Sequence, residues 1–459
     1  MNDKTRHDGA KVIPRDAKRP LWWALSAAIL AAVALDAPNA FTRPRIRPSL
    51  AKEATIRPQR VVNGSLAKQF GIFAYTNSQG LFSTTATGSL LHISRSSSAT
   101  DPLWSFNGQY LAFETTGQDG LNAVLHVYEM STHRVILSVS HVNAFAWQPR
   151  HNLLSVMTSK LQLIALQGSR ILPIATISGP IEAHYIWSSQ GTHLAYAITE
   201  GAVGNRHDVV DEVTVSHQGL SSPVKAWRSP KEEGVWLAAF LPQSRNILFW
   251  PDGQYSASLM ADGAPLQLWH QKSGRITTYP SMLPYRDYLT VPHATQFALM
   301  AGGPRTISGS DKAIVFVHHG LAHKLSNPPG KEVIEPNLNP TTGQIVAVVA
   351  DNDTGASWGL LASYHQWVKT RELAVFSHHH WVVWTNAGRG VTDPVWAPND
   401  KGVLYLTHNW LFYLGGETQR PQAVLGPIPS TGGYYGEVLR SSLWDLLPLP
   451  THSSLSGGS

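Results

Sequence analysis

The chain of 459 residues contains no cysteine. This absence excludes disulfide scaffolds, thiolate zinc sites, iron–sulfur clusters and cysteine nucleophiles. The sequence also lacks the Gly-x-Ser-x-Gly nucleophile elbow and the Gly-Lys-Ser/Thr of a phosphate-binding loop. Gly302-Gly303 lacks the rest of a dinucleotide fingerprint, and the loop that begins at Asp351 lacks the distal glutamate of a calcium loop. We therefore predict no cofactor and no metal.

Charge of either sign is also scarce, since only 14% of the residues are Asp, Glu, Lys or Arg. Residues 1–60 hold 12 of the 36 basic and 5 of the 30 acidic residues, which leaves 24 against 25 in the remainder. Nucleic-acid-binding proteins present a basic surface, so this near-neutral body predicts no nucleic-acid partner. A hydrophobic fraction of 43% with 16 Trp excludes global disorder.

The basic excess belongs to an N-terminal leader. Residues 1–19 are polar and basic, as in a cytoplasmic tail. A helix over residues 20–40 would be about 30 Å long, enough to cross a bilayer core, with Trp22 and Trp23 at the interface. The Pro/Arg-rich residues 41–64 resemble a semi-rigid stalk.

Three interpretations of the apolar segment are open: a buried helix, a signal peptide cleaved after Ala32-Val33-Ala34, and an uncleaved signal anchor. The length of the polar flank favours the anchor. We therefore predict a single-pass protein of the cell membrane, bound to the bilayer through residues 20–40, with its body on the extracytoplasmic side.

A repeated unit runs through the body. Asp-Pro-x-Trp occurs at residues 101–104 and 393–396, and each copy leads through a glycine-containing turn into an apolar strand. Weaker copies share the same order of strand, turn and strand. Their anchor positions, taken together, are Trp104, Trp147, Trp187, Phe240, Ile307, Leu338 and Trp396.

The early spacings of 43 and 40 residues match the length of a four-stranded propeller blade. Residues 70–94 look like a unit without its first strand, which residues 433–447 can supply. We predict an all-β fold, a β-propeller of seven or eight four-stranded blades over residues 65–447, preceded by one N-terminal transmembrane helix. Residues 448–459 are predicted to be a disordered tail. A β-sandwich array is the alternative.

The anchors are interpreted as structural, because a large aromatic ring fills the wedge between neighbouring blades. The residues given this role are Asp101, Trp104, Trp147, Trp187, Asp393 and Trp396.

The units at 100–113, 187–196 and 392–406 resemble the TolB-like, WD-repeat-related β-propeller repeat, whose core runs Asp-Pro-x-Trp-Ser-Pro-Asp-Gly. The resemblance extends in weaker form over residues 70–430, and most units lack the complete Pro-Asp-Gly turn. It implies a propeller that binds partners. It implies no reaction, because propellers carry many unrelated functions.

Two histidine clusters are the candidate ligand-binding residues. Adjacent residues of a strand point to opposite faces, so at most two of three consecutive histidines can face one ion, and a metal site is disfavoured. Exposed loop histidines and a pH sensor are the other interpretations. The candidates are His318, His319, His323, His378, His379, His380, Trp381 and Trp384.

Two functions follow as hypotheses. In the first, the tethered propeller is a non-catalytic binding or scaffold module for a protein, peptide or envelope polymer. In the second, it is a propeller hydrolase or lyase with a site at the central channel. Titratable side chains with perturbed pKa values that converge at the channel would favour the enzyme, whereas a broad apolar or aromatic patch would favour the scaffold.

Overall fold

The computed structural model describes residues 61–117, 122–179, 181–216, 219–256, 258–302, 307–308, 311–353, 362–429 and 437–448. The predicted cytoplasmic tail, membrane segment and most of the stalk lie outside these residues, as do residues 449–459. No helix within the described ranges is long and apolar enough to cross a membrane.

The described residues fold as successive antiparallel meanders, because runs of β-branched and aromatic residues alternate with short polar turns. Strand β1 (Val61–Val62) precedes them. The first four meanders are as follows: β2 (Gly71–Asn77), β3 (Gly80–Thr84) and β4 (Leu90–Ser94) with β34 (Trp444–Pro448); β5 (Thr100–Trp104), β6 (Tyr110–Thr116), β7 (Ala123–Glu129) and β8 (Arg134–Ser140); β9 (Ala144–Trp147), β10 (Leu153–Met157), β11 (Leu161–Gln167) and β12 (Arg170–Ile177); β13 (Ile181–Trp187), β14 (His193–Glu200), β15 (His207–Ser216) and β17 (Val224–Arg228), with the short β16 (Gly219–Leu220) beside β15.

The later meanders follow the same plan, and helices are short. The strands are β18 (Glu233–Phe240), β19 (Ile247–Gly253), β20 (Ala264–Trp269) and β21 (Ile276–Met282); β22 (Leu289–Thr290), β23 (Gln296–Ala301), β24 (Ala313–His318) and β25 (Leu321–Lys324); β26 (Lys331–Leu338), β27 (Ile345–Asp351), β28 (Glu372–Ser377) and β29 (His380–Val383); β30 (Thr392–Trp396), β31 (Val403–Thr407), β32 (Trp410–Leu414) and β33 (Gln422–Gly426). The helices are α1 (Gly64–Phe70), α2 (Leu259–Asp262), α3 (Ala362–Val368) and α4 (Arg440–Leu443), with 3-10 turns at Arg286–Tyr288 and Thr385–Ala387.

The meanders close into a ring. First strands of neighbouring meanders contact one another, as β26 contacts β30 and β34 contacts β5, so these strands lie on the inside. Each meander packs its apolar faces on the next, and β30–β33 pack on β2 and β3. The C-terminal β34 pairs with β2, which places Trp444 opposite Tyr75. The predicted all-β, propeller-type fold and its closure by the C-terminal segment are therefore confirmed.

The structure corrects one anchor. Ile307 does not end a first strand, because it lies between β23 and β24. The first strand of that meander is β22, whose two residues are too few to show a period in the sequence. The residues that precede the ring also differ from expectation: β1, inside the predicted stalk, pairs with β33, and α1 follows it.

The two Asp-Pro-x-Trp copies form β-bulges. Asp101 and Asp393 have φ angles of 53° and 52°, and the strand register shifts beside each. Glu335, which precedes Pro336 in β26, has the same conformation, with a φ angle of 53° and a register shift. Asp and Asn tolerate this left-handed region better than most residues. The backbone conformation of the bulge therefore explains why aspartate occupies positions 101 and 393.

The anchor tryptophans link neighbouring meanders. The indole N–H of Trp147 donates to the carbonyl of Leu103 at 3.0 Å, and that of Trp396 donates to the carbonyl of Asn337 at 3.1 Å. The indole N–H of Trp187 donates to the Ser155 hydroxyl at 3.0 Å. Trp104 is buried, and its backbone N–H donates to Asp445 at 2.8 Å. Each ring thus lies at a junction between two sheets.

Candidate functional site

Turns at one end of the ring hold the predicted histidines. In an antiparallel meander, the turn from the first to the second strand and the turn from the third to the fourth lie at the same end of the sheet. His318 ends β24 and His319 occupies the β24–β25 turn, whereas His378 and His379 occupy the β28–β29 turn. Both clusters therefore lie at the end of the ring that carries these hairpin turns.

The histidines in these turns have a conformational role. His319, His378 and His379 have φ angles of 48°, 50° and 65°, which a two-residue hairpin turn requires. All three are exposed. Histidine is among the residues that adopt this left-handed conformation most often. Backbone conformation therefore explains the histidines in these turns without a bound ligand.

The remaining cluster members do not converge on one ion. His323 and His380 are exposed residues of β25 and β29, and the rings of His318 and His319 lie 4.4 Å apart. Within the described part of the chain, no three His, Asp or Glu side chains are placed to hold a metal.

The two tryptophans of the second cluster belong to the core. Trp381 is buried and packs edge-on against Phe376 at 5.1 Å. Trp384 is partly buried against the same core, and its backbone N–H donates to Leu373. The structure thus separates these rings from the exposed histidines that precede them.

A ligand-sized cleft lies beside His319, between the meanders β18–β21 and β22–β25. Its volume is about 580 Å³, within the usual range for a binding site. We call it the basic cleft. It is lined by Leu241, Asn246, Leu268, His270, Arg275, Ile276, Thr277, Tyr279, Ala294, Thr295, Phe297, His319, Gly320 and Leu321.

The basic cleft has an apolar floor and a cationic rim. Leu241, Leu268 and Phe297 are buried, and the ring of Tyr279 packs edge-on against Phe297 at 5.3 Å. Arg275 and His319 are exposed at the rim. None of the described lining residues is Asp or Glu, so the rim charge has no carboxylate partner within the cleft.

Two groups in the cleft have shifted pKa values. Burial lowers the pKa of His270, Arg275 lowers it further, and a ring nitrogen lies 2.9 Å from the Thr277 hydroxyl. Burial raises the pKa of Tyr279, and the neighbouring Arg275 opposes this shift. The Tyr279 hydroxyl is buried and has no hydrogen-bond partner among the described residues.

A second group of charges lies on the inner strands and the loops before them. We call it the central charged cluster, and it comprises Asp287, Tyr288, Glu335, Arg371, Thr392, Asp393 and Arg440. The side chains of Arg371 and Glu335 are 1% and 5% exposed, and their Nη1 and Oε1 atoms lie 3.3 Å apart.

Hydrogen bonds connect this cluster to the closing strand. The Thr392 hydroxyl accepts from Arg371 at 3.1 Å and donates to Glu335 at 2.9 Å. The backbone N–H of Asp393 donates to Glu335 at 2.7 Å, and the indole of Trp444 donates to the Asp393 carboxylate at 3.0 Å. On the other side of the closing segment, the Ser442 hydroxyl donates to Asp101 at 3.2 Å. The two predicted aspartates therefore flank the strand that closes the ring.

Burial shifts the pKa values of this region strongly. It raises the pKa of Asp393 well above its usual range, although Arg440, 3.9 Å away, opposes the shift. It raises the pKa of Tyr288 as well. Nearby on β13, burial and Arg286 lower the pKa of His184 to about 3.

The space inside the cluster is small. The cavity lined by Asp287, Glu335, Asp393 and Arg440 measures about 20 Å³, which holds about one water molecule. The cluster can hold strands together, whereas the basic cleft can admit a ligand.

Comparisons with known proteins find no family for this chain. No protein-family model matches the sequence, and no curated protein matches it either. Solved structures do match. They include the β-propeller domain of the Trilobed protease from Pyrococcus furiosus, at 9% identity and a TM-score of 0.40, over 71% of this chain and 97% of that one.

Two further structures show how varied the matches are. A eukaryotic initiation factor matches at 12% identity and a TM-score of 0.47, over 87% of this chain and 92% of that one. The Pyrococcus horikoshii acylaminoacyl peptidase matches at 8% identity and a TM-score of 0.39, over 71% of this chain. This chain spans about half, 52%, of that peptidase. Likenesses this distant carry no information about function.

Sequence reasoning missed the residues that build the basic cleft, apart from His319. His270, Arg275, Tyr279 and Phe297 come from two meanders and share no local pattern. One signal was present: the turn over residues 270–275 carries Lys272 and Arg275 and no acidic residue.

Proposed function

We propose that this protein is a membrane-tethered, extracytoplasmic β-propeller of eight blades that acts as a non-catalytic binding module. Eight is the upper of the two numbers expected from the sequence, and it equals the number of meanders in the described residues. The TolB-like repeat and the anchor at residues 20–40 belong to this proposal on the sequence evidence given above.

The basic cleft is the observation that carries the binding function. It offers about 580 Å³ of space, an apolar floor and cationic groups without a carboxylate partner in the cleft. Binding sites are typically concave and largely apolar, with a few polar groups that fix orientation. We infer that the ligand is a protein, peptide or envelope polymer that reaches the hairpin-turn end of the ring.

A propeller hydrolase or lyase is the second candidate, because titratable groups with shifted pKa values do converge on the inner strands. Asp393 has the raised pKa that a general acid needs. We favour binding, since the cavity beside Asp393 holds only about one water molecule.

A photo-crosslinking residue tests the binding function in the full-length protein in its native membrane. It is placed at Leu321, which lines the cleft and is 66% exposed, or at Val224, a control on outer strand β17 that is 58% exposed and outside the cleft. We expect a light-dependent adduct from position 321 and none from position 224. Equal adducts at both positions, or none at either, would contradict the proposal.

A further inference from the structure

The basic cleft has three features that together select a class of ligand. The first is charge: the guanidinium of Arg275 lines it beside the imidazole rings of His270 and His319, and no Asp or Glu does among the described residues. The turn before β21 adds Lys272, the end of β24 adds His318, and β25 adds His323 and Lys324, all exposed and none acidic. A ligand that brings a carboxylate therefore gains an attraction that nothing in the cleft now satisfies.

The second feature is a buried hydroxyl without a partner. Tyr279 and Arg275 both line the cleft, and the Tyr279 hydroxyl donates no hydrogen bond in the described residues. An unpartnered buried polar group is destabilising, so such groups usually have a partner in the functional state. An anion held by Arg275 can accept this hydrogen bond.

The third feature is the presence of two strand edges beside the cleft that have few or no pairing partners. Strand β25 pairs only with β24, and β21 pairs with β20 along its length but reaches β23 through Met282 alone, within the described residues. Ile276, Thr277 and Tyr279 of β21 and Leu321 of β25 line the cleft. Open strand edges offer main-chain donors and acceptors to an added extended segment.

Backbone groups favour a peptide over a lipid or a sugar polymer, because only a peptide supplies matching main-chain N–H and C=O groups along an extended strand. We propose, on the basis of the binding function proposed above, that the basic cleft takes an extended acidic peptide of a partner protein. Its apolar side chain lies on Leu241, Leu268 and Phe297, and its carboxylate lies between Arg275 and the Tyr279 hydroxyl.

A random heptapeptide library tests this assignment against the full-length protein. We expect the selected peptides to be enriched both in Asp or Glu and in large apolar residues. Their affinity falls at least tenfold in Arg275→Gln and about threefold in Tyr279→Phe. Arg389→Gln is the matched control, since Arg389 is 73% exposed and lies outside the cleft, and it leaves the affinity unchanged.

The contrary outcomes are distinct. Selected peptides without acidic enrichment, or with full affinity for Arg275→Gln, would overturn the acidic-peptide assignment. A second contrary outcome is that no peptides are selected and that the protein instead binds vesicles containing phosphatidylglycerol in an Arg275-dependent way. This result would overturn the assignment in favour of a lipid surface. In either case an adduct from position 321 leaves the binding function standing. If that adduct is also missing, the proposed function fails as well.

Discussion

The central charged cluster and the basic cleft lie in the same ring and differ in how their charged groups are paired. Glu335 accepts hydrogen bonds from Thr392 and from the backbone of Asp393, and it pairs with Arg371. Arg275 has no carboxylate partner among the described lining residues of the cleft. We infer that the paired charges of the central charged cluster hold the strands of the ring together. The unpaired charge of the basic cleft is available to a ligand.

The largest expected effect follows from removing a buried charge partner. Glu335→Gln leaves Arg371 buried without a full counter-charge, and such a loss typically destabilises a protein by about 3–5 kcal/mol. Urea unfolding should record this decrease. The double variant Glu335→Gln/Arg371→Met should recover much of it, because both members of the ion pair are then removed together. Equal losses in both variants would show that the ion pair is not the source of the effect.

The pH dependence of stability should report on the inner strands. The folded-state pKa of His184 is about 3, below the usual value of 6.5. Between these values the unfolded chain binds a proton that the folded protein does not, so this residue makes stability fall as the pH falls. His184→Gln should reduce that slope by up to about 1.4 kcal/mol per pH unit. Unfolding curves at pH 6, 5 and 4 measure it, and an unchanged slope would contradict the assignment.

A substitution in the basic cleft should affect ligand binding and leave the stability of the fold nearly unchanged. Arg275 is exposed, so Arg275→Gln should change the free energy of unfolding by less than about 0.5 kcal/mol. It should nevertheless weaken an acidic peptide about tenfold, or about 1.4 kcal/mol. Urea unfolding and fluorescence anisotropy give the two numbers. Destabilisation comparable to that of Glu335→Gln would place Arg275 among the structural charges and remove the contrast between the two regions.

The fold was more accessible from the sequence than the site. Asp-Pro-x-Trp repeats because each copy needs a residue with a left-handed backbone conformation at a bulge and an aromatic ring at a junction between two sheets. Both requirements are local, so the motif can be recognised in the sequence. Strand β22 was not predicted, because its two residues are too few to show the alternation of apolar and polar residues that marks a strand. The cleft escaped because Leu241, Tyr279 and Phe297 come together only after two meanders pack side by side.

The predicted histidines show that a cluster of one residue type in the sequence does not establish a ligand site. Their turns were identifiable, yet the reason for histidine at positions 319, 378 and 379 is backbone conformation, which a sequence cluster does not reveal. Of the predicted ligand residues, the described structure places only His319 in the lining of the basic cleft.

A modest gain in stability gives the most direct test that the basic cleft is built for a ligand. Tyr279→Phe removes a buried hydroxyl without a partner, so the peptide-free protein should become more stable by about 1 kcal/mol. Tyr110→Phe is the matched control, because its hydroxyl donates to the carbonyl of Gly168 at 2.9 Å and its loss should destabilise by a similar amount.

The decisive measurement is the thermal unfolding midpoint of Tyr279→Phe with and without a selected acidic peptide. We predict that the free midpoint rises above that of the unmodified protein while the peptide-induced increase becomes smaller. A lower free midpoint together with an unchanged peptide-induced increase would show that the hydroxyl serves the fold, and would contradict the assignment of the cleft as the ligand site.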